Sequence, residues 1–382
     1  MDVPKLYVSP EAREFVDKAE LDEWLRGVDD NTLVRPPASA DEVILNKDGR
    51  TADGNHRYTV NSFDTVCRAL APGLSSLVPN LAGENQRARR KKEFCSFEDA
   101  LLVFNTLVAT RFDAELIQCQ FVFNEREKII EGVLGPKTKY LDNSLFFQLV
   151  DETLVSAFGT DVEFYEAHLA GRRMLLRYCR KEPLCEVRPA DGHSFHAIHR
   201  GYHFSNSESG DASVRAAPLY VEPVSGASCL GSFSKSKTRM IHAGREFHSR
   251  LNSLLSAAVM TGGADSAVSR AVQVAATREL QLPLPAHERF EEHVLELVEN
   301  ISGYGTITNN LAQKIVSHAV YVGAFPTEDN QYRALRDSQI TRRTKYDLYR
   351  AITTEAIKLP IRQRESVEQA AYAYLLDLDS NL

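Results

Sequence analysis

The chain has 382 residues, more than one hydrophobic core usually absorbs, so two or three structural units are expected. Hydrophobic residues make up 43% and charged residues 25%, values that suit a folding globular chain and exclude long disorder. The formal net charge of −7 excludes the uniformly basic profile of histone-like proteins, so any contact with nucleic acid must come from local basic patches.

Along the chain, the opening MDVPKLYVSPEAREF has no basic stretch leading into an apolar one, and no signal peptide is expected. Residues 9–26 place Phe15, Ala19, Leu21, Trp24 and Leu25 near helical spacing, and Pro36-Pro37 closes that unit. Residues 38–58 are rich in Asp, Asn and Gly and read as loop. A helix capped by Asn61 or Ser62 runs through Val66 and Leu70 to the Pro72-Gly73 break. Arg87, Arg89, Arg90, Lys91 and Lys92 then put five cations in six positions, the densest basic cluster of the chain. Ser96 caps a helix with Ala100, Leu101, Phe104, Leu107 and Val108 on one face, after which LIQCQFVF and KIIEGVL read as strands. Residues 145–158 read as helix, and 173–177 and 184–188 as strands. A Gly- and Ser-rich interval over 203–236 separates short strands, one of them 216–221. From Arg245 the period is helical, as in Phe247, Leu251, Leu254 and Leu255, in Phe290, His293, Val294 and Leu297, and in Tyr346, Leu348, Tyr349, Ile352 and Ile357. The expected fold is α+β, a central mostly antiparallel sheet with helices flanked by helical N- and C-terminal parts. Its expected divisions are a helical region with the basic cluster over 1–120, an α+β core over 121–245 and a helical region over 246–382.

Titratable groups concentrate in DGHSFHAIHRGYHFSNSESG, where His193, His196, His199 and His203 are the weak candidates for a metal site. On a strand His196 would face away from the other three, and the chain has no HExxH motif. Cys179 and Cys185 lack a second pair at matching spacing, and the six scattered cysteines read as buried reduced thiols. The carboxylate pairs Asp151-Glu152 and Glu291-Glu292 sit on expected helices, where neighbours diverge by about 100° and read as solvated faces. Walker A, GxGxxG and GxSxG motifs are missing from the sequence, so no motif identifies a reaction, no catalytic residue is assigned and no cofactor is expected. Basic segments are the more informative signal. Besides 87–92 they are Lys235, Lys237, Arg239, His242 and Arg245, and a third over 333–350 that includes Arg342 and Arg343. Phe94, Phe233, Tyr332, Tyr346 and Tyr349 lie near them and could stack on unpaired bases.

From about residue 128 onward the chain resembles the phage- and plasmid-borne family catalogued as domain of unknown function 932. The likeness rests on GVLGPKTKYLDNSLFFQLVDETL with Tyr140, Asn143 and Phe147, on Gly171-Arg172-Arg173, on the turn Asn206-Ser207-Glu208-x-Gly210 between strands, and on TKYDLYRAITTEA. Where that family carries Cys-x-Asn-Gly, this chain has Cys229-Leu230-Gly231 without the Asn, although the basic stretch with Arg239, His242 and Gly244 follows. The resemblance implies a mobile-element context and assigns no activity. Asn206, Ser207 and Gly210 have the composition of a tight polar turn, whose amides could join Arg215, Arg239 and His242 at an anion site.

Together these readings lead to an ATP-independent DNA-binding protein of a phage, plasmid or integrated element, favouring single strands and serving annealing in recombination or replication. Arg87, Arg89, Arg90, Lys91, Lys92, Arg215, Lys235, Lys237, Arg239, His242, Arg342 and Arg343 are its expected nucleic-acid contacts. The expected assembly is a homo-oligomer in the cytoplasm without membrane contact. The alternatives are a non-enzymatic self-assembling or host-interaction protein of defence or anti-defence, and a metal-dependent hydrolase built on the histidines.

Overall fold

Side-chain character alternates along Arg173–Val187 with the period of two that a strand imposes. Met174, Leu176 and Tyr178 enter an apolar core, while Arg173 and Arg177 point to the other side and meet carboxylates. In the computed structural model the described residues are 12–71, 97–188, 196–209, 212–223, 227–230, 239–243, 246–260, 265–277, 310–315, 344–359 and 361–376.

The larger sheet has seven strands. β1 (Arg13–Phe15), β6 (Val162–Ala170), β7 (Arg173–Val187), β8 (His196–Ser207), β9 (Val214–Glu222) and β10 (Ala227–Leu230) follow one another as antiparallel neighbours, and β11 (Arg239–Met240) also pairs with β9. The smaller sheet runs in the order β2 (Thr32–Arg35), β4 (Gln120–Asn124), β5 (Ile129–Leu134) and β3 (Arg57–Tyr58), the last pair being parallel. The described helices are α1 (Lys18–Asp29), α2 (Val60–Leu70), α3 (Phe97–Arg111), α4 (Asn143–Phe158), α5 (Phe247–Met260), α6 (Asp265–Thr277), α7 (Lys345–Ile357) and α8 (Ile361–Leu376). The fold is thus α+β around a mostly antiparallel sheet. Among the described residues no helix is long and apolar enough to cross a membrane.

Three larger cores hold these elements, beside a small cluster of Cys179, Leu219 and Val221. One joins Leu176, Tyr178, Tyr202 and Phe204 of the large sheet to Leu21 of α1, Phe146 and Val150 of α4 and Leu251 and Leu255 of α5. A second joins Val187, Ile198 and Tyr220 to α6, α7 and α8. The third packs α2 and α3 on Phe121, Phe123 and Ile130 of the small sheet.

Differences from the expected elements have local causes. The N-terminal region contributes β1, β2 and β3 as well as helices, because strands of three, four and two residues are too short to show a period. The helix expected from residue 9 begins at Lys18, where the Asp17 side chain accepts from the amides of Ala19 and Glu20 and fixes the start. Thr59, two residues before the nearer expected cap, caps α2 by accepting from the Ser62 amide. Two expected strands merge into β7, whose register with β8 shifts around Pro183, a residue that cannot donate to the ladder.

Two glycines give predictions of opposite sign. A Cβ at Gly132 in β5 would lie 2.7 Å from the Ser209 Cα, backbone against side chain, so Gly132→Ala should destabilise by about 1–3 kcal/mol. Gly27 in α1 has nothing within 4 Å of its would-be Cβ, and Gly27→Ala should stabilise by about 0.5–1 kcal/mol. Urea midpoints of the two variants measure both, and shifts of the same sign would contradict this packing.

Candidate functional site

Glu208 emerges from the end of β8 and is buried at 1% exposure. Its carboxylate accepts from the Asn143 amide (2.6 Å) at the first turn of α4 and from Arg172 Nη1 (2.8 Å). A carboxylate there also meets the positive end of the helix dipole. Arg172 donates through Nε to Glu131 of the small sheet, so one guanidinium spans both sheets. Asn206 Nδ2 donates to the Leu141 carbonyl and to Asn143 Oδ1, each at 2.9 Å, and Asn143 Nδ2 donates to the Arg172 carbonyl (3.2 Å). Four residues singled out in the sequence, Asn143, Arg172, Asn206 and Glu208, therefore meet in one buried junction. Burial pushes the Glu208 carboxyl up to about 7, against the opposing pull of Arg172 and the Asn143 amide. Burial and the neighbouring Glu208 also push the Tyr140 hydroxyl up.

This junction locks elements together, with Asn143, Arg172, Asn206 and Glu208 all buried. The expected polar turn is corrected accordingly: Asn206 and Ser207 are strand residues of β8, buried at 1% and 0%, and Asn206 bonds to the α4 entry instead of to its own turn. Gly210 lies outside the described residues.

On the side of the large sheet opposite the Leu176 and Tyr178 core, a second polar cluster forms against α8. Arg177, fully buried, donates to Glu368 (3.0 and 2.5 Å) and to Glu166 (2.9 Å). Arg364 of α8 donates to Glu166 (2.7 Å) and Glu368 (3.0 Å), and its Nη1 lies 3.0 Å from His168 Nε2. Ser228 of β10 donates to Glu368 (2.7 Å). Beside this group Glu365 binds Arg173 (2.6 Å) and His203 Nε2 (3.1 Å). Against the cost of burial, the Arg177 and Arg364 guanidiniums hold the Glu368 carboxyl below the usual range, a hydrogen bond to His168 with Arg177 and Arg364 beside it does the same for Glu166, and a hydrogen bond to His203 with Arg173 and Arg215 beside it holds Glu365 down at about 2. Burial pushes the His203 imidazole down. The ladder sets Ser205 of β8 opposite Arg215 of β9, which carries this cationic side of the sheet from β7 to β9.

The sequence-derived candidates divide as follows. Arg215 is half-buried in β9 and close enough to Glu365 to lower its pKa. His242 is buried at 3% against Phe247, with Nδ1 3.3 Å from the Lys139 carbonyl, so its imidazole is a packing group and does not face a phosphate chain. Arg87, Arg89, Arg90, Lys91, Lys92, Lys235, Lys237, Arg342 and Arg343 lie outside the described residues, as does His193. His196, His199 and His203 go to separate partners, Glu222, the Arg180 carbonyl and Glu365. Among the described residues no three His, Cys, Asp or Glu side chains are placed to hold a metal ion. The Cys67 and Cys179 thiols are buried and pushed up to about 12 by that burial, far from thiolate chemistry.

A groove of about 640 Å³ between α1 and α4 has Val16 and Phe164 in its lining. Its acids, Asp17, Asp22, Asp151 and Glu152, outnumber Lys18 and Arg26. Both cations are already paired, Lys18 with Asp151 and Arg26 with Asp22, so the groove does not suit a phosphate chain. Sequence reasoning missed Glu166, His168, Arg177, Arg364, Glu365 and Glu368. The available signals were the Arg173-x-x-x-Arg177 spacing inside an apolar strand and the i, i+4 pair Arg364 and Glu368.

In comparisons with known proteins, no family model, curated protein or solved structure matches the chain.

Proposed function

We propose that the protein binds DNA without ATP, favouring single strands, and serves annealing in the recombination or replication of a phage, plasmid or integrated element. One observation carries most of the support. Pairing of β11 with β9 sets the backbone of Arg239, one of the expected contacts, in register with Arg215 on a strand that already bears a cation. Arg172, Arg173, Arg177 and Arg364 are committed to internal carboxylates, which leaves first contact with DNA to the basic runs of the sequence.

Anisotropy of a fluorescent single strand and of its duplex, followed through a salt titration, tests the proposal. Binding should favour the single strand and fall steeply with salt, and Arg89→Ala with Arg90→Ala should weaken it and flatten the salt slope by about two counterions. No binding even at low salt would retire the proposal.

A further inference from the structure

The polar side of β7–β9 carries Arg173, Arg177 and Arg215 with His203, and the only carboxylate of β6 that meets an arginine among the described residues is Glu166. The balance comes from one helix. Glu365 of α8 binds Arg173 and lies near enough to Arg215 to feel its charge, and Glu368 binds Arg177 through both oxygens. A guanidinium bound by a carboxylate through two oxygens has the geometry in which arginine also takes a phosphate. Ser228 completes the Glu368 carboxylate shell, as a hydroxyl would complete that of a phosphate.

The polarity of this contact is the notable feature. The α8 segment Val367, Ala371, Tyr372 and Leu375 docks through an ordinary apolar core, whereas Arg364, Glu365 and Glu368 dock through charges buried to 5% exposure or less. Well-packed apolar residues would hold a permanent helix at least as firmly, and buried ionic contacts are best attested where register or switching matters. Arg177 Nε and His203 Nδ1 are buried without a hydrogen-bond partner among the described residues, so α8 does not saturate the donors it covers.

We propose that the arginine-bearing face of β7–β9 is a polyanion-binding surface and that α8 is its built-in occupant, with Glu365 and Glu368 standing where backbone phosphates bind. A strand captured first by the outer basic segments displaces the charged end of α8 and passes onto Arg173, Arg177 and Arg215. The proposed DNA-binding function enters here only as the identity of the polyanion.

The test compares the full chain with Glu365→Gln, using a labelled oligothymidine and, separately, inorganic polyphosphate. Weakening one clamp raises the fraction of chains with the face open, and apparent affinity rises in proportion, here by roughly tenfold, with a steeper salt dependence. Tighter binding of either probe by the variant supports the proposal. If neither protein binds oligothymidine and the variant binds polyphosphate more tightly, the masked face stands and the DNA reading fails. If wild type binds oligothymidine and the variant binds both probes no more tightly, the masked face is overturned while DNA binding stands. Binding of neither probe by either protein overturns both. Hydrogen exchange on wild type covers the case in which the variant does not fold: amides of Ile361–Leu376 should lose protection when oligothymidine binds, and unchanged or increased protection would overturn the displacement.

Discussion

Replacing Arg177 by Met should cost about 3–5 kcal/mol of unfolding free energy, the usual consequence of leaving a buried charge without its partner. Arg177 has no exposed surface and joins Glu166 of β6 to Glu368 of α8, with Ser228 of β10 at 3.3 Å. Among the described residues, its loss leaves Glu368, also fully buried, with Arg364 and Ser228. Arg177→Met combined with Glu368→Met removes both charges at similar volume and should recover much of the loss. Urea unfolding of the two variants measures this, and a single-variant cost under about 1 kcal/mol would show that the network does not hold α8. The carboxylates define the pH window. Glu365, held down at about 2, contributes stability that is present above its unfolded value near 4.5 and lost as pH falls through the folded value. Acid should therefore loosen α8.

Arg172→Met should cost a comparable amount, and the loss should grow with pH. Arg172 is the only described cation bonded to Glu208, and without it Glu208 can stay neutral only by keeping its proton. The sign follows from linkage. A carboxyl raised to about 7 in the folded state, against an ordinary value near 4.5, binds its proton more tightly when folded. Its contribution is fully present below about 4.5 and is lost as pH rises through about 7. Removing Arg172 raises the folded value further, so melting curves should separate variant and wild type more at pH 8 than at pH 5. Glu208→Gln, which cannot ionise, should remove this component of the wild-type decline. An Arg172→Met loss equal at both pH values would place the charge of Glu208 elsewhere.

Much of the fold was legible because it follows from period and capping. α5 and α7 appear where Phe247, Leu251, Leu254 and Leu255, and Tyr346, Leu348, Tyr349 and Ile352, repeat at helical spacing. β6 was not legible: VEFYEAHLA mixes acids and aromatics because both of its sides are covered, one by the apolar core and the other by the α8 charges. The helix α8 was hidden for a related reason. Its buried face begins with Arg364, Glu365 and Glu368, which a hydrophobic-period argument assigns to solvent. For the site, the sequence picked out Asn143, Arg172, Asn206 and Glu208 through a resemblance, but their convergence depends on pairings between residues up to 65 positions apart. No local pattern encodes that distance.

The ion pair between Arg177 and Glu368 closes over 191 positions of sequence. On the ribosome β7 is complete long before Glu365 and Glu368 exist, so the central sheet must wait with Arg173 unpaired by Glu365 and Arg177 balanced by Glu166 alone while the remaining chain is made. During that interval the nascent protein presents an open arginine surface in the presence of ribosomal RNA, and the arrival of α8 closes it. A release defect in variants of Glu365 or Glu368 would therefore surface first as nascent chains retained on polysomes, before any change in the finished protein is measured.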